Sequence, residues 1–248
     1  ASRPVLQRGP SQGVVGGVYA KAQGESEDVA TAIYDHYKPV SMDDAIPRNR
    51  TGQIVALADK LDTLRGCFNV GLIPSGSRDP FALRRAAQGV VKIIVEGGLD
   101  LDLAPYLDND ALREFFADRV RYYFRDVRGF AYDEVNACMA ATVGWTNLVD
   151  LENRLERVQR RRTTPDFEPL AASFKRIRNI LTQAKFTGAG AIDENALEAG
   201  PERDLYDEYQ RIKGQPIENA ISRVRPRVDL FFDKVLVNAP DPRVRQNR

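Results

Sequence analysis

From Val29 to about Val237 the apolar residues of this chain recur at intervals of three and four, and few runs alternate apolar with polar. A half-buried strand needs a two-residue period and an amphipathic helix a 3.6-residue one, so the pattern predicts an all-α fold. The clearest segment runs through Gln53–Leu64, where Ile54, Leu57, Leu61 and Leu64 share a face and Thr51 is a plausible N-cap. Another follows Pro74-Ser75-Gly76-Ser77-Arg78-Asp79-Pro80, with Asp79 suited to the N-cap and Pro80 to the first helical position. Its apolar positions are Phe81, Leu83, Ala86, Val90 and Ile94, and Gly97-Gly98 closes it.

Ser26-Glu27-Asp28 opens a shorter helix that Pro39 stops, while the glycine- and proline-rich residues up to Gly24 read as loop with one helical piece over 17–21. Residues 99–105 read as a linker, dividing the chain into two helical domains, 1–104 and 105–248. In the second, Asn109 or Asp110 caps a helix carrying Leu112, Phe115, Phe116, Val120, Tyr123 and Phe124, and Gly129 ends it. Further helices are expected over 132–143, 147–162 and from Pro165 to about Lys185. A glycine-containing acidic loop over 187–200 and two or three helices between Pro201 and Val237 complete the chain.

Thirty-six basic residues against 35 acidic give a net charge of +1, so no global field points to nucleic acid and local clustering has to carry that argument. Cys67 and Cys138 lie far apart, form no CxxC pair, and point to a reduced, cytoplasmic protein without a zinc site. No apolar run approaches the roughly 20 residues that span a bilayer, and the first residues lack the apolar core of a signal peptide. A soluble, intracellular protein is expected.

The chain has one histidine, His36, and this removes most catalytic readings. No nucleophile elbow lies near it, and a phosphohydrolase built on clustered His and Asp ligands needs more imidazoles. Beside Tyr37 at a helix end, His36 reads as a capping or packing residue. Asp59 and Asp62 share a helix face and read as partners of Lys60, Arg65 or a neighbouring arginine rather than metal ligands.

Basic clusters are more informative. The Ser75–Arg78 turn leads into a helix N-terminus, whose free N–H groups suit a phosphate unless Asp79 occupies them, and Arg78, Arg84 and Arg85 add charge. Its spacing is not that of a P-loop. Arg154, Arg157, Arg160, Arg161 and Arg162 decorate one helix, and Lys175, Arg176, Arg178 and Lys185 the next. Arg223, Arg225 and Arg227 follow, and Arg243, Arg245 and Arg248 lie in the tail. Phe174, Phe186, Phe231 and Phe232 are interleaved with them. Such a set can hold a phosphate backbone and stack unpaired bases. It can equally be an ion-paired helix surface, since Glu152 and Glu156 are within i,i+4 reach of several arginines.

Three stretches tilt this choice. Tyr19-Ala20, Gly24-Glu25, Val29-Ala30 and His36-Tyr37-Lys38-Pro39 form the first. The second is Ala56-Leu57-Ala58-Asp59-Lys60-Leu61-Asp62-Thr63-Leu64 with Gly71, Pro74 and Gly76-Ser77-Arg78-Asp79-Pro80-Phe81-Ala82-Leu83-Arg84-Arg85-Ala86-Ala87. The third joins Asp126–Ala140, Lys175-Arg176-Ile177-Arg178-Asn179-Ile180-Leu181 and Val228-Asp229-Leu230-Phe231-Phe232-Asp233. Together they resemble the beta subunit of the bacterial two-subunit glycyl-tRNA synthetase.

The resemblance implies an HD-like helical domain lacking phosphohydrolase activity, followed by an anticodon-binding helical domain. It implies that the beta subunit binds tRNA-Gly while an alpha subunit activates glycine with ATP. ATP and Mg then belong to the whole enzyme, and this chain carries no catalytic residue, metal or cofactor. The expected tRNA contacts are Arg157, Arg161, Arg162, Lys175, Arg176 and Arg178, and secondarily Arg78, Arg84 and Arg85. By the same resemblance the chain begins inside the HD-like domain and stops before a final apolar helix, leaving a hydrophobic groove. Residues 2–11 depart from the family pattern. Two other functions compete with this one: a phosphohydrolase with a divalent ion between His36 and Asp59 or Asp62, and a helical scaffold docking the alpha subunit.

Overall fold

The structure, a computed structural model, describes residues 11–165, 167–183, 185–186, 192–215, 217–237 and 239–247. Among these residues the fold is all-α. Two isolated bridges, Ser75 with Arg78 and Asp102 with Asn147, are the only extended pairings described. The chain forms two compact units, residues 1–160 and 161–248.

In the first unit α1 (Ser11–Ala22) packs on α2 (Glu27–Asp35), α2 on α3 (Arg50–Asn69), and α3 on α4 (Leu83–Glu96). Helix α1 is longer than the short piece expected, and glycine is the reason. A Cβ on Gly17 would lie 2.8 Å from Tyr34 Cβ, and one on Gly13 2.8 Å from the Tyr34 carbonyl oxygen. These glycines let two helices approach closely instead of marking a loop. The expectations for residues 1–10 lie outside the described residues.

Helix α2 starts as the sequence indicated, with Ser26 Oγ accepting the Val29 N–H at 3.3 Å. Helix α3 does not. Its N-cap is Asn49, whose Oδ1 accepts the Gly52 N–H at 2.9 Å, while the Thr51 hydroxyl donates to Asp28. Leu57, Leu61 and Leu64 are buried, but Ile54 on the same stripe is exposed. Buried Lys60 takes part of the buried face instead, its Nζ donating to the Tyr37 carbonyl at 3.3 Å. Burial pushes its ammonium below the ordinary value.

Helix α4 is the central element. Val90, Val91, Ile93 and Ile94 are all fully buried, so neighbours cover it on nearly every side. It starts later than expected. The N-cap position is Ala82, in the left-handed region at φ 56°, and Asp79 caps from further back. The Asp79 carboxylate accepts the N–H groups of Leu83 at 2.8 Å and Arg84 at 3.0 Å. Asp79→Ala is expected to destabilise this unit by about 0.5–2 kcal/mol, read as a lower urea midpoint with unchanged slope. A null shift would show that the two N–H groups find other partners.

Residues 99–105, expected as a domain linker, lie inside the first unit, and Leu103 and Leu107 are buried in the same core cluster as α4. That core continues through α5 (Asp110–Tyr122), α6 (Tyr132–Met139) and α7 (Leu148–Arg162). Asn109 caps α5, accepting from the Ala111 and Leu112 N–H groups at 2.9 and 3.3 Å. Beyond Tyr122 the backbone widens into a π-helical turn over Tyr123–Val127. This turn buries Tyr123 and Phe124 completely, the Tyr123 hydroxyl donating to Glu96 at 3.3 Å. Helix α6 ends at Met139, short of the expected residue 143, and Gly144 turns the chain at φ 83°.

In the second unit α8 (Phe167–Gln183) and α9 (Pro201–Ile212) both pack on α10 (Ile217–Lys234). Helix α8 stops at Gln183, and Lys185 follows at φ 50°. Of the expected 187–200 loop, residues 187–191 lie outside the described residues, and Glu194–Ala196 form a 3-10 turn. A short α11 (Pro242–Asn247), which the sequence did not announce, is tied back by Asn247. Its Oδ1 accepts the Asp193 N–H at 2.8 Å and its Nδ2 donates to the Asp193 carbonyl at 3.1 Å.

Candidate nucleic-acid interface

The first-unit candidates sit on the segment between α3 and α4. Ser75 and Arg78 exchange backbone hydrogen bonds of 3.2 and 2.9 Å, folding residues 75–78 into a tight turn with Gly76 at φ 50°. Arg84 Nη2 reaches back to the Gly76 carbonyl at 2.7 Å and locks the turn onto α4. Asp79 spends both carboxylate oxygens on backbone N–H groups, so the α4 N-terminus is already occupied and offers no seat for a free phosphate. The charge remains available. Arg78 and Arg85 are exposed, and neither they nor Arg84 pair with a carboxylate among the described residues.

Elsewhere arginine is mostly committed to carboxylates. Arg65 pairs with Asp108 at 2.6 Å, Arg121 with Asp118 at 3.0 Å, and Arg128 with Glu152 at 2.5 Å. Arg154, expected in the basic face, is a structural residue. Its guanidinium bonds Asp150 at 2.8 Å and the carbonyls of Cys138 and Gly144 at 2.6 and 2.5 Å. Arg160 sits 3.5 Å from Glu156, and Arg223, Arg225 and Arg227 pair with Glu208, Asp229 and Asp204. The ion-paired reading therefore describes much of the arginine surface.

The remaining candidates divide. Arg157 donates to the Asn153 carbonyl at 3.3 Å, and Arg157, Arg161 and Arg162 all have interactions within the chain. On α8, Lys175 and Arg178 are exposed without a carboxylate partner among the described residues. Arg176 lies 4.5 Å over the Phe232 ring and donates to the Phe232 carbonyl at 3.2 Å, holding α8 against α10. Of the interleaved aromatics, Phe174 and Phe186 are exposed and Phe231 is buried.

Phe81 is the residue that sequence reasoning misplaces. The apolar pattern assigns it to the buried face of α4, yet it is 52% exposed while Leu83 is 1% exposed. Phe81 precedes the N-cap residue Ala82 and lies outside α4, so the helical period that assigns it to the buried face does not apply to it.

The catalytic and metal readings find no supporting geometry. His36 closes α2, its Nδ1 lies 2.6 Å from the Ile33 carbonyl oxygen, and its ring stacks on Tyr37 at 4.0 Å. Asp59 and Asp62 are exposed, and Arg65 takes Asp108 rather than either of them. Among the described residues no group of three or more His, Cys, Asp or Glu side chains could hold a metal. No described helix is long and apolar enough to cross a membrane.

In the second unit an apolar groove of ≈ 340 Å³ opens between α9 and α10, lined by Leu205, Tyr209, Val224, Val228 and Phe231 among others.

Comparison with known proteins bears on these features. The chain is 40% identical over 269 residues to the glycine–tRNA ligase beta subunit of Acidobacterium capsulatum, covering 96% of this chain and 38% of that protein. The corresponding subunit of Leptothrix cholodnii is 40% identical over 261 residues, covering 96% and 36%. That of Desulfatibacillum aliphaticivorans is 36% identical over 264 residues, covering 96% and 38%. The chain thus spans less than two fifths of the length of these relatives. The family model described as glycyl-tRNA synthetase beta subunit matches residues 9–140, a range that includes the 99–105 segment. Over half the chain fits that model, and the chain belongs to the glycyl-tRNA synthetase beta subunit family.

Proposed function

We propose that this chain is a tRNA-binding part of a glycine–tRNA ligase, positioning tRNA-Gly for aminoacylation by an alpha subunit and doing no bond chemistry itself. The observation that carries the reading is that several of the expected contacts have no carboxylate partner among the described residues, on a surface where much of the arginine is ion-paired. Among the expected contacts these are Arg78, Arg84 and Arg85 in one unit and Lys175, Arg176 and Arg178 in the other, Arg176 being held by Phe232 instead. A cation with no internal acid loses no ion pair when it meets a phosphate, so these positions favour a polyanion. An HD-like domain followed by an anticodon-binding domain remains our reading of the two halves. ATP and Mg belong to the complete enzyme, in the cytoplasm, and no residue of this chain is assigned to them.

The test is binding of tRNA-Gly and a non-cognate tRNA across a salt series. The logarithm of the affinity is expected to fall linearly with the logarithm of salt. Replacing Arg78, Arg85, Lys175 or Arg178 by alanine should each flatten that slope by about 0.7–0.9. Arg121→Ala, which removes a residue held by Asp118, should leave the slope alone. Absence of salt-dependent binding, or equal slopes for all variants, would sink the reading. A second reading, docking of the alpha subunit, is favoured by the apolar groove between α9 and α10. A pure scaffold would show no tRNA affinity in the same titration.

A further inference from the structure

The segment between α3 and α4 holds more than loose charge. Val70, Leu72, Ile73 and Phe81 are all exposed there, beside Arg78, Arg84 and Arg85. The segment is pinned by the Ser75–Arg78 bridge, by Arg84 on the Gly76 carbonyl, and by Asp79 on two N–H groups of α4. Ala82 takes a left-handed conformation at φ 56°, unfavourable for a residue with a Cβ, and this accompanies the change from an outward Phe81 to an inward Leu83. An exposed aromatic on a rigid turn loses little freedom when it binds. Beside it lies a hollow of ≈ 220 Å³, walled by Leu72, Ile73, Pro74, Pro80 and Phe81, with Arg78 and Asp79 also lining it. That volume is below the usual range for a drug-sized ligand and suits a single flat ring system.

We infer that Phe81, with Arg78 lining the same hollow and Arg85 four residues further along the chain, is a stacking platform for one unpaired RNA base and its adjoining phosphates. The inference rests on the tRNA-binding reading above and adds to it a named base-contacting residue and a strand state. An aromatic face accepts any base, and neighbouring guanidiniums hold the backbone that carries it. The bases of an A-form duplex are stacked inside the helix and cannot reach the ring, so the ligand is single-stranded. The one acid of the turn, Asp79, is consumed by backbone N–H groups and leaves the guanidiniums unopposed.

The experiment uses two probes, a short single-stranded RNA carrying 2-aminopurine and a blunt duplex of the same length. Phe81→Ala should weaken single-strand binding by about 5- to 150-fold and abolish quenching of the 2-aminopurine. Phe81→Trp should retain both, and duplex binding should be unchanged by either substitution. Arg85→Ala should weaken both probes and flatten the salt slope. Unaltered single-strand affinity in Phe81→Ala, or an equal loss on the duplex, overturns the platform. Loss of alpha-subunit association with RNA affinity intact would reassign the surface to protein docking and also overturn it. If the tRNA salt series succeeds and Phe81 is silent, only this inference fails; if no RNA binds at all, both fail.

Discussion

Phe124→Ala should lower the unfolding free energy of the 1–160 unit by about 3–5 kcal/mol. Phe124 is fully buried on the π-helical turn. Its ring lies edge-on to Tyr123 at 5.6 Å and tilted against Phe130 at 6.1 Å. Truncation removes buried apolar surface, leaves a cavity in a core shared by helices α3 to α7, and deletes two aromatic contacts, each about 0.5–1.5 kcal/mol. Trp145, the only tryptophan, is buried in that core with Arg113 over its ring at 5.5 Å, so its fluorescence reports the unfolding. The expected record is a much lower urea midpoint. Phe81→Ala provides the contrast: the same chemical change at an exposed position should stay within about 0.5 kcal/mol of the parent. A comparable loss at both positions would mean that Phe81 is a packing residue and not a ligand-facing one.

Asp35→Ala should cost about 2–3 kcal/mol at neutral pH. Its carboxylate, fully buried at the end of α2, organises the start of α3. It accepts the Arg48 backbone N–H at 3.0 Å and the Arg48 Nε–H at 2.7 Å, and Lys38 Nζ lies 3.3 Å away. Arg48 itself remains largely exposed and stacks at 5.1 Å over the Tyr34 ring, so the substitution strands no buried cation, and the cost stays below that of breaking a fully buried pair. Burial alone would raise the Asp35 carboxyl, but the hydrogen bonds from Arg48 and the charge of Lys38 outweigh it and hold it below the ordinary 3.8. A carboxyl whose folded value is depressed stabilises the fold above its unfolded value. That contribution disappears as the pH falls through the folded value. The gap between parent and Asp35→Ala should therefore be complete above about pH 5 and close on further acidification. A gap that persists undiminished in acid would show that the loss is one of packing alone.

Much of the fold is legible in the sequence. The three-and-four spacing gives the class, and α2, α5 and the end of α4 begin or stop on the residues whose side chains and φ angles dictate it: Ser26, Asn109 and Gly97-Gly98. Capping depends on a few neighbouring residues, so the sequence contains it. Where capping involves a longer reach, the expectation misses. Asp79 bonds α4 from four and five residues upstream, and Asn49 takes the cap expected of Thr51, which lies inside α3 and donates to Asp28.

The site is less legible than the fold. Which arginines are spent on carboxylates depends on partners as distant as Asp108 for Arg65 or Glu208 for Arg223, and no i,i+4 rule could find them. Glu152, expected to pair along its own helix, pairs with Arg128. The glycines of α1 look like loop punctuation because their reason lies in another helix, where Tyr34 leaves no room for a Cβ. Residues 99–105 look like a linker because Leu103 and Leu107 find their neighbours only once α4, α5 and α7 are assembled. The sequence by itself determined the helical period, the nearby caps, the family and the scarcity of imidazole, all properties of residues a few positions apart or of composition. Only the tertiary structure decided where the units divide and which cations stay unpaired, because each depends on contacts between residues that the chain brings together from far apart.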